Sequence, residues 1–97
     1  MKLRFTPRAV RNIADVADYL RDRNAAAAER VQSDIYDSLQ SLILFPHIGR
    51  RQTAAGVRRI VTRKYSYLVY YTVDEAADEI IVLNVKHPAG KREFFDL

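Results

Sequence analysis

Once along this chain, near residue 50, the spacing of apolar residues switches from a helical period to a strand period. Between residues 7 and 45 they recur at three- and four-residue intervals. Ile13, Val16, Ala17 and Leu20 make one stripe, and Ala28, Val31, Ile35, Leu39 and Leu42 make another. From residue 57 onward β-branched and aromatic residues alternate instead, as a pleated surface requires. Thr6 before Pro7 predicts a first helix: Thr accepts from an early helical N–H, and Pro lacks an N–H that would be unpaired there. Asn24 before four alanines predicts the second helix, which Pro46 ends. A turn this short makes the two an antiparallel hairpin. The stretches 2–6, 57–62, 65–73 and 79–86 read as strands, with 50–56 a loop and 74–78 a polar turn. The order β-α-α-β-β-β predicts an α+β domain over residues 1–97: a helical hairpin packed on an antiparallel sheet, its last three strands a meander.

Composition removes several functions. With 97 residues the chain has room for one core. It has no Cys, which excludes disulfides and thiol nucleophiles and argues against structural zinc. No apolar run reaches the length of a membrane span or a signal peptide, so a cytoplasmic protein without membrane contact is expected. Neither His47 nor His87 has partners at metal-ligand spacing, and no phosphate-cradling glycine loop occurs, so no metal and no cofactor is expected.

Charge carries more information. The net charge is +4, and residues 50–73 hold Arg50, Arg51, Arg58, Arg59, Arg63 and Lys64 without a single acid. Arginine's planar fork suits phosphate and carboxylate, so this stretch predicts a basic face for RNA, DNA or an acidic protein segment. The bland alternative is a set of solvated strand edges that resist aggregation. Alternation puts Tyr65, Tyr67, Val69, Tyr71 and Val73 on one face of a strand and Leu68 and Tyr70 on the other. The tyrosines read mostly as packing between sheet and helices. His47 follows Pro46 in a turn and reads as a surface residue. His87 ends the last strand just before Lys91 and Arg92. It is either a proton-transfer group on a phosphodiester or a strand-end hydrogen-bonding residue.

Several pieces taken together resemble one superfamily. They are Phe5-Thr6-Pro7, Tyr19-Leu20, Phe45-Pro46-His47-Ile48-Gly49-Arg50, Arg58-Arg59, Tyr67-Leu68-Val69-Tyr70-Tyr71 and Val85-Lys86-His87-Pro88-Ala89. In this order and at these spacings the chain is similar to the RelE/ParE toxins of bacterial type II toxin–antitoxin modules, and most like ParE. The resemblance implies neutralisation by a cognate, ParD-like antitoxin whose acidic, amphipathic C-terminal segment folds onto the toxin. Arg58, Arg59, Arg63, Lys64, Lys91 and Arg92 are then the candidate contacts to antitoxin or target.

For the free toxin the resemblance implies either inhibition of DNA gyrase or ribosome-dependent mRNA cleavage. Some RelE-type nucleases use a Glu on the second strand, an Arg on the third and a C-terminal His-Tyr pair. Here residues 50–73 contain no carboxylate, and Pro88 rather than Tyr follows His87. Other members use several strand lysines, and only Lys64 is available. Arg59, Arg63, His87 and Arg92 would remain to stabilise a phosphorane, with His87, Arg63 and Arg92 as the catalytic set of that alternative. The incomplete set favours a non-enzymatic gyrase inhibitor, with the endonuclease and a plain interaction module as the other readings.

Overall fold

A computed structural model describes residues 1–88. Its elements are β1 (Lys2–Phe5), α1 (Pro7–Arg21), α2 (Ala25–Leu44), β2 (Arg50–Arg51), β3 (Val57–Val61), β4 (Leu68–Asp74) and β5 (Glu79–Lys86). Both helices start where their caps require. Thr6 Oγ1 accepts from Ala9 N at 3.1 Å, and Asn24 Oδ1 accepts from Ala27 N at 3.1 Å.

The sheet runs β1-β5-β4-β3-β2. Strands β2 to β5 pair antiparallel, as a meander must, and β1 joins β5 in parallel. The α+β reading with a helical hairpin on the sheet therefore holds, and the sheet is mixed. Arg50–Arg51 of the expected loop forms β2 by pairing with Arg59 and Arg58. The strand expected from Tyr65 starts at Leu68 instead. Ser66 takes a left-handed φ of 61°, and the N–H groups of Lys64, Tyr65 and Tyr67 turn to side chains rather than to a ladder.

The helices cover one face. Val16, Val31, Ile35, Leu39 and Leu42 pack against Val69, Tyr71, Ile80, Val82 and Val85, all 5% exposed or less. Each such aliphatic side chain contributes about 1.5–3 kcal/mol of burial. Strict alternation would send Val82 and Val85 to opposite faces. A bulge prevents this: Tyr70 pairs with Asn84 but Tyr71 pairs with Val82, leaving Leu83 as the extra residue. The irregularity is held from both sides. Thr6 Oγ1 donates to Leu83 O at 2.7 Å, and Asn12, buried on α1, accepts from Val85 N at 3.0 Å.

Candidate functional site

The turn that follows α2 is held by two side chains from the sheet. Pro46 stops the helix, and Phe45 N donates to Ser41 O at 2.9 Å. Beneath the turn lies Tyr71, which is fully buried. Its hydroxyl donates to Pro46 O at 2.8 Å and accepts from Gly49 N at 2.9 Å. Burial pushes the Tyr71 hydroxyl's pKa up, against the opposing pull of the Gly49 hydrogen bond and the Arg58 charge. Arg58, opposite Tyr71 in register, donates to His47 O at 3.1 Å and Gly49 O at 2.9 Å. Position 49 has no room for a side chain, since a Cβ there would lie 2.5 Å from the Tyr71 hydroxyl oxygen. The Pro-x-x-Gly-Arg motif is thus the signature of a rigid turn. That turn presents Leu44, Phe45 and Ile48 to solvent at 74%, 60% and 62% exposure.

Beside the turn runs a groove of ≈ 280 Å³ between α2 and the end of β3. Leu42, Ile48, Ile60 and Val61 supply its apolar lining, Arg63 and Lys64 stand at one end, and Asp34 and Asp37 of α2 line it with opposite charge. Asp34 of α2 fixes that end. Its two oxygens accept from Lys64 N at 3.0 Å and Tyr65 N at 2.8 Å. Burial alone would raise the Asp34 pKa. Hydrogen bonds from Thr62, Lys64 and Tyr65, with the charge of Lys64, outweigh it and hold the pKa below the usual 3.8. A charge-assisted clamp therefore orders the backbone from which Arg63 and Lys64 project.

The sequence-predicted residues fall in different places. Arg58 lies on the helix-covered face and is engaged by the turn. Arg59, opposite Tyr70, lies on the open face. Arg63 and Lys64 border the groove. His87 packs edge-on against Tyr67, with ring centroids 5.3 Å apart, on the helix side of the sheet. Exposed His47 approaches Glu75, Nε2 to Oε2 3.2 Å. Lys91 and Arg92 lie outside the described residues. No metal-ligand cluster occurs among the described residues, and no helix there is long and apolar enough to cross a membrane.

Sequence reasoning missed Asp34, Asn12 and the role of Tyr71. A signal existed for the first two. Asp34 sits three residues after Val31 and Asn12 three after Ala9, so each is a polar residue on a buried helical stripe, where only a partnered group is tolerated. Tyr71 carried no such mark.

The sequence matches the family model for the ParE toxin of the type II toxin–antitoxin system parDE over residues 3–91. The chain belongs to the ParE toxin family. It is 26% identical over 86 residues to Y4kP of Sinorhizobium fredii, a protein named as a toxin, spanning 89% of this chain and 86% of that one. Among solved structures, the chromosomal ParDE toxin–antitoxin system of P. aeruginosa superposes with a TM-score of 0.76 at 20% identity, covering 90% of this chain and 95% of that one. The intact E. coli RelBE toxin–antitoxin complex gives a TM-score of 0.58 at 18% identity, over 89% and 94% of the two chains. Isolated E. coli RelE gives 0.56 at 19% identity, over 87% and 80%. At these identities the structural likeness establishes the ParE/RelE fold. The turn after α2, its Tyr71 lock and the adjoining groove are the features that organise this member's surface.

Proposed function

We propose that this ParE-family toxin arrests growth by binding and inhibiting DNA gyrase without cleaving RNA, and that an acidic, amphipathic antitoxin segment neutralises it. The observation that carries the first half is the lack of a carboxylate base in residues 50–73, with His87 and Arg59 on opposite faces of the sheet. His87 packs against Tyr67 on the covered side, Arg59 stands on the open side, Arg58 is engaged by the turn, and no carboxylate occurs in residues 50–73. A general base and a phosphate-stabilising arginine act together only within hydrogen-bond reach of one reacting group.

The antitoxin half draws on the groove. Its apolar floor suits an amphipathic segment, Arg63 and Lys64 are the groups that segment's acids would meet beside the lining carboxylates Asp34 and Asp37, and the chain's neighbours in fold include toxin–antitoxin complexes.

Gyrase supercoiling with and without the free toxin tests the reading. Supercoiling should fall at micromolar toxin, and unchanged supercoiling refutes the gyrase assignment. Expression of His87→Ala separates the endonuclease: growth arrest should persist, and its loss in a folded variant would favour RNA cleavage.

A further inference from the structure

An apolar patch joins the turn after α2 to the groove beside it. Leu44, Phe45 and Ile48 of the turn project into solvent, and Val61 at the end of β3 is 51% exposed. Ile48 and Val61 line the same groove, and Ile48 N donates to Phe45 O at 3.2 Å, so the apolar surface is continuous. Apolar residues exposed singly are ordinary, whereas a contiguous patch marks a surface that something covers. The hydrogen bonds of Tyr71 and Arg58 hold the turn in place, so the patch is formed before any partner arrives.

The two walls of the groove carry opposite charge. Asp37 stands on the α2 wall, and Arg63 and Lys64 stand on the wall that continues from β3, all three exposed. Asp34, one helical turn before Asp37, holds Lys64 N at 3.0 Å and Tyr65 N at 2.8 Å. That clamp sets the acid and the two bases at the same end of the groove, and the apolar turn lies at the other end. Among the described residues no ion pair engages Asp37 or Arg63.

We propose that this surface is a site of self-association, and that its occupant is a second copy of this chain. A two-fold axis running along the groove lays the α2 wall of each copy over the β3 wall of the other. Asp37 of each copy then faces Arg63 and Lys64 of its counterpart, so the same charge contact forms twice. At the other end the two turns meet, and their exposed apolar side chains leave water together. An acidic segment in the groove meets Asp37 as well as the two bases, whereas a copy of this surface supplies the opposite sign to both walls. Lining and turn together hold about half of the 20–30 residues on one side of a standard interface, so the pair buries on the order of 800–1,000 Å² in total. Contacts of that size are weak and reversible, and a Kd of about 10–100 μM is expected. Pairing and antitoxin capture would use the same groove and exclude each other. The inference does not depend on gyrase being the target.

Sedimentation velocity on the full chain, free of antitoxin, tests it between about 5 and 500 μM, where a dimer of this affinity passes from minor to dominant. Leu44→Ser should weaken pairing about 10-fold. Val10→Ser, at an apolar site 56% exposed on α1, should leave it unchanged. Asp37→Arg and Arg63→Asp should each weaken pairing about 10-fold or more, since each sets like charges opposite one another twice. Mixed one to one, these two variants again oppose unlike charges at both contacts, and pairing should return to within about threefold of the wild type. A merely structural defect would not be repaired by mixing, and thermal melts verify that each variant is folded. A chain that sediments as a monomer throughout overturns the proposal and leaves the groove to other partners. So does wild-type pairing in folded Leu44→Ser, Asp37→Arg and Arg63→Asp. A mixture that pairs no better than its two components overturns the two-fold arrangement.

Discussion

Removing a single oxygen from Tyr71 tests how the turn after α2 is held. Tyr71→Phe leaves the ring packed where it is, fully buried, and deletes only the hydroxyl. Two bonds go with it, the donation to Pro46 O at 2.8 Å and the acceptance from Gly49 N at 2.9 Å. Gly49 is buried, so its N–H is left without an acceptor, which costs about 1–3 kcal/mol. Pro46 is only partly buried and its carbonyl can recover water, so that loss is smaller, about 0.5–1.5 kcal/mol. Together the substitution should destabilise the fold by about 2–3 kcal/mol. For a domain of this size that is a fall in Tm of about 10–20 °C. Urea unfolding reads it as a lower midpoint at unchanged m. Gly49→Ala attacks the same knot from the other side. Its Cβ would meet the hydroxyl oxygen at 2.5 Å and ring carbons at 2.7 and 2.9 Å, so the ring itself must move, at a cost of about 1–3 kcal/mol or more. Because both variants disturb one contact set, their effects should sum to less than additive in the double variant. A Tyr71→Phe shift below about 0.5 kcal/mol, or full additivity with Gly49→Ala, would refute the account of the motif as a hydroxyl-locked turn.

Asp34→Asn should cost about 1–3 kcal/mol at neutral pH, since one of two carboxylate acceptors is lost at a buried site. The pH dependence has a definite sign: the folded pKa lies below 3.8, so this stability is present above that value and lost as pH falls through the folded pKa. Acid titration of unfolding should show a limb in the wild type that Asp34→Asn lacks, and identical limbs would count against the clamp. Asn12→Ala orphans Val85 N at the bulge and should lower stability by about 1–3 kcal/mol, with faster amide exchange at Val85 as its signature in NMR. Arg63→Glu should weaken antitoxin binding most at low salt, measured by calorimetry across an ionic-strength series. Affinity independent of both the charge and the salt would remove the groove from the antitoxin interface.

Much of the fold could be read from local chemistry. The caps at Thr6 and Asn24, the two apolar stripes and the stop at Pro46 all work through groups within a few residues of one another, so spacing reveals them. The division of Tyr70 from Tyr71 between faces was legible for the same reason, since alternation is a property of the strand alone, whereas Tyr65 and Tyr67 precede a strand that starts at Leu68. The site was less legible. Arg58 and Arg59 are neighbours in sequence with the same charge, yet one locks a turn and the other stands on the open face. Alternation separates them, but no local signal tells that a carbonyl cage awaits Arg58 eleven and nine residues upstream.

The sequence by itself determined that a helical hairpin would cover one face of a short-stranded sheet, and that positive charge would gather without acid in residues 50–73. Periodicity and composition are sufficient for that, because they act along the chain. Only the tertiary structure decided that β1 would lie parallel to β5, that two arginines of a loop would become β2, and that Leu83 would bulge. It also divided the basic residues among a turn, a groove and an open face. These outcomes depend on pairing between residues up to 77 positions apart, as in the bond from Thr6 to Leu83. The energy of such a contact exists only once the chain has folded, so nothing in the neighbourhood of either residue announces it.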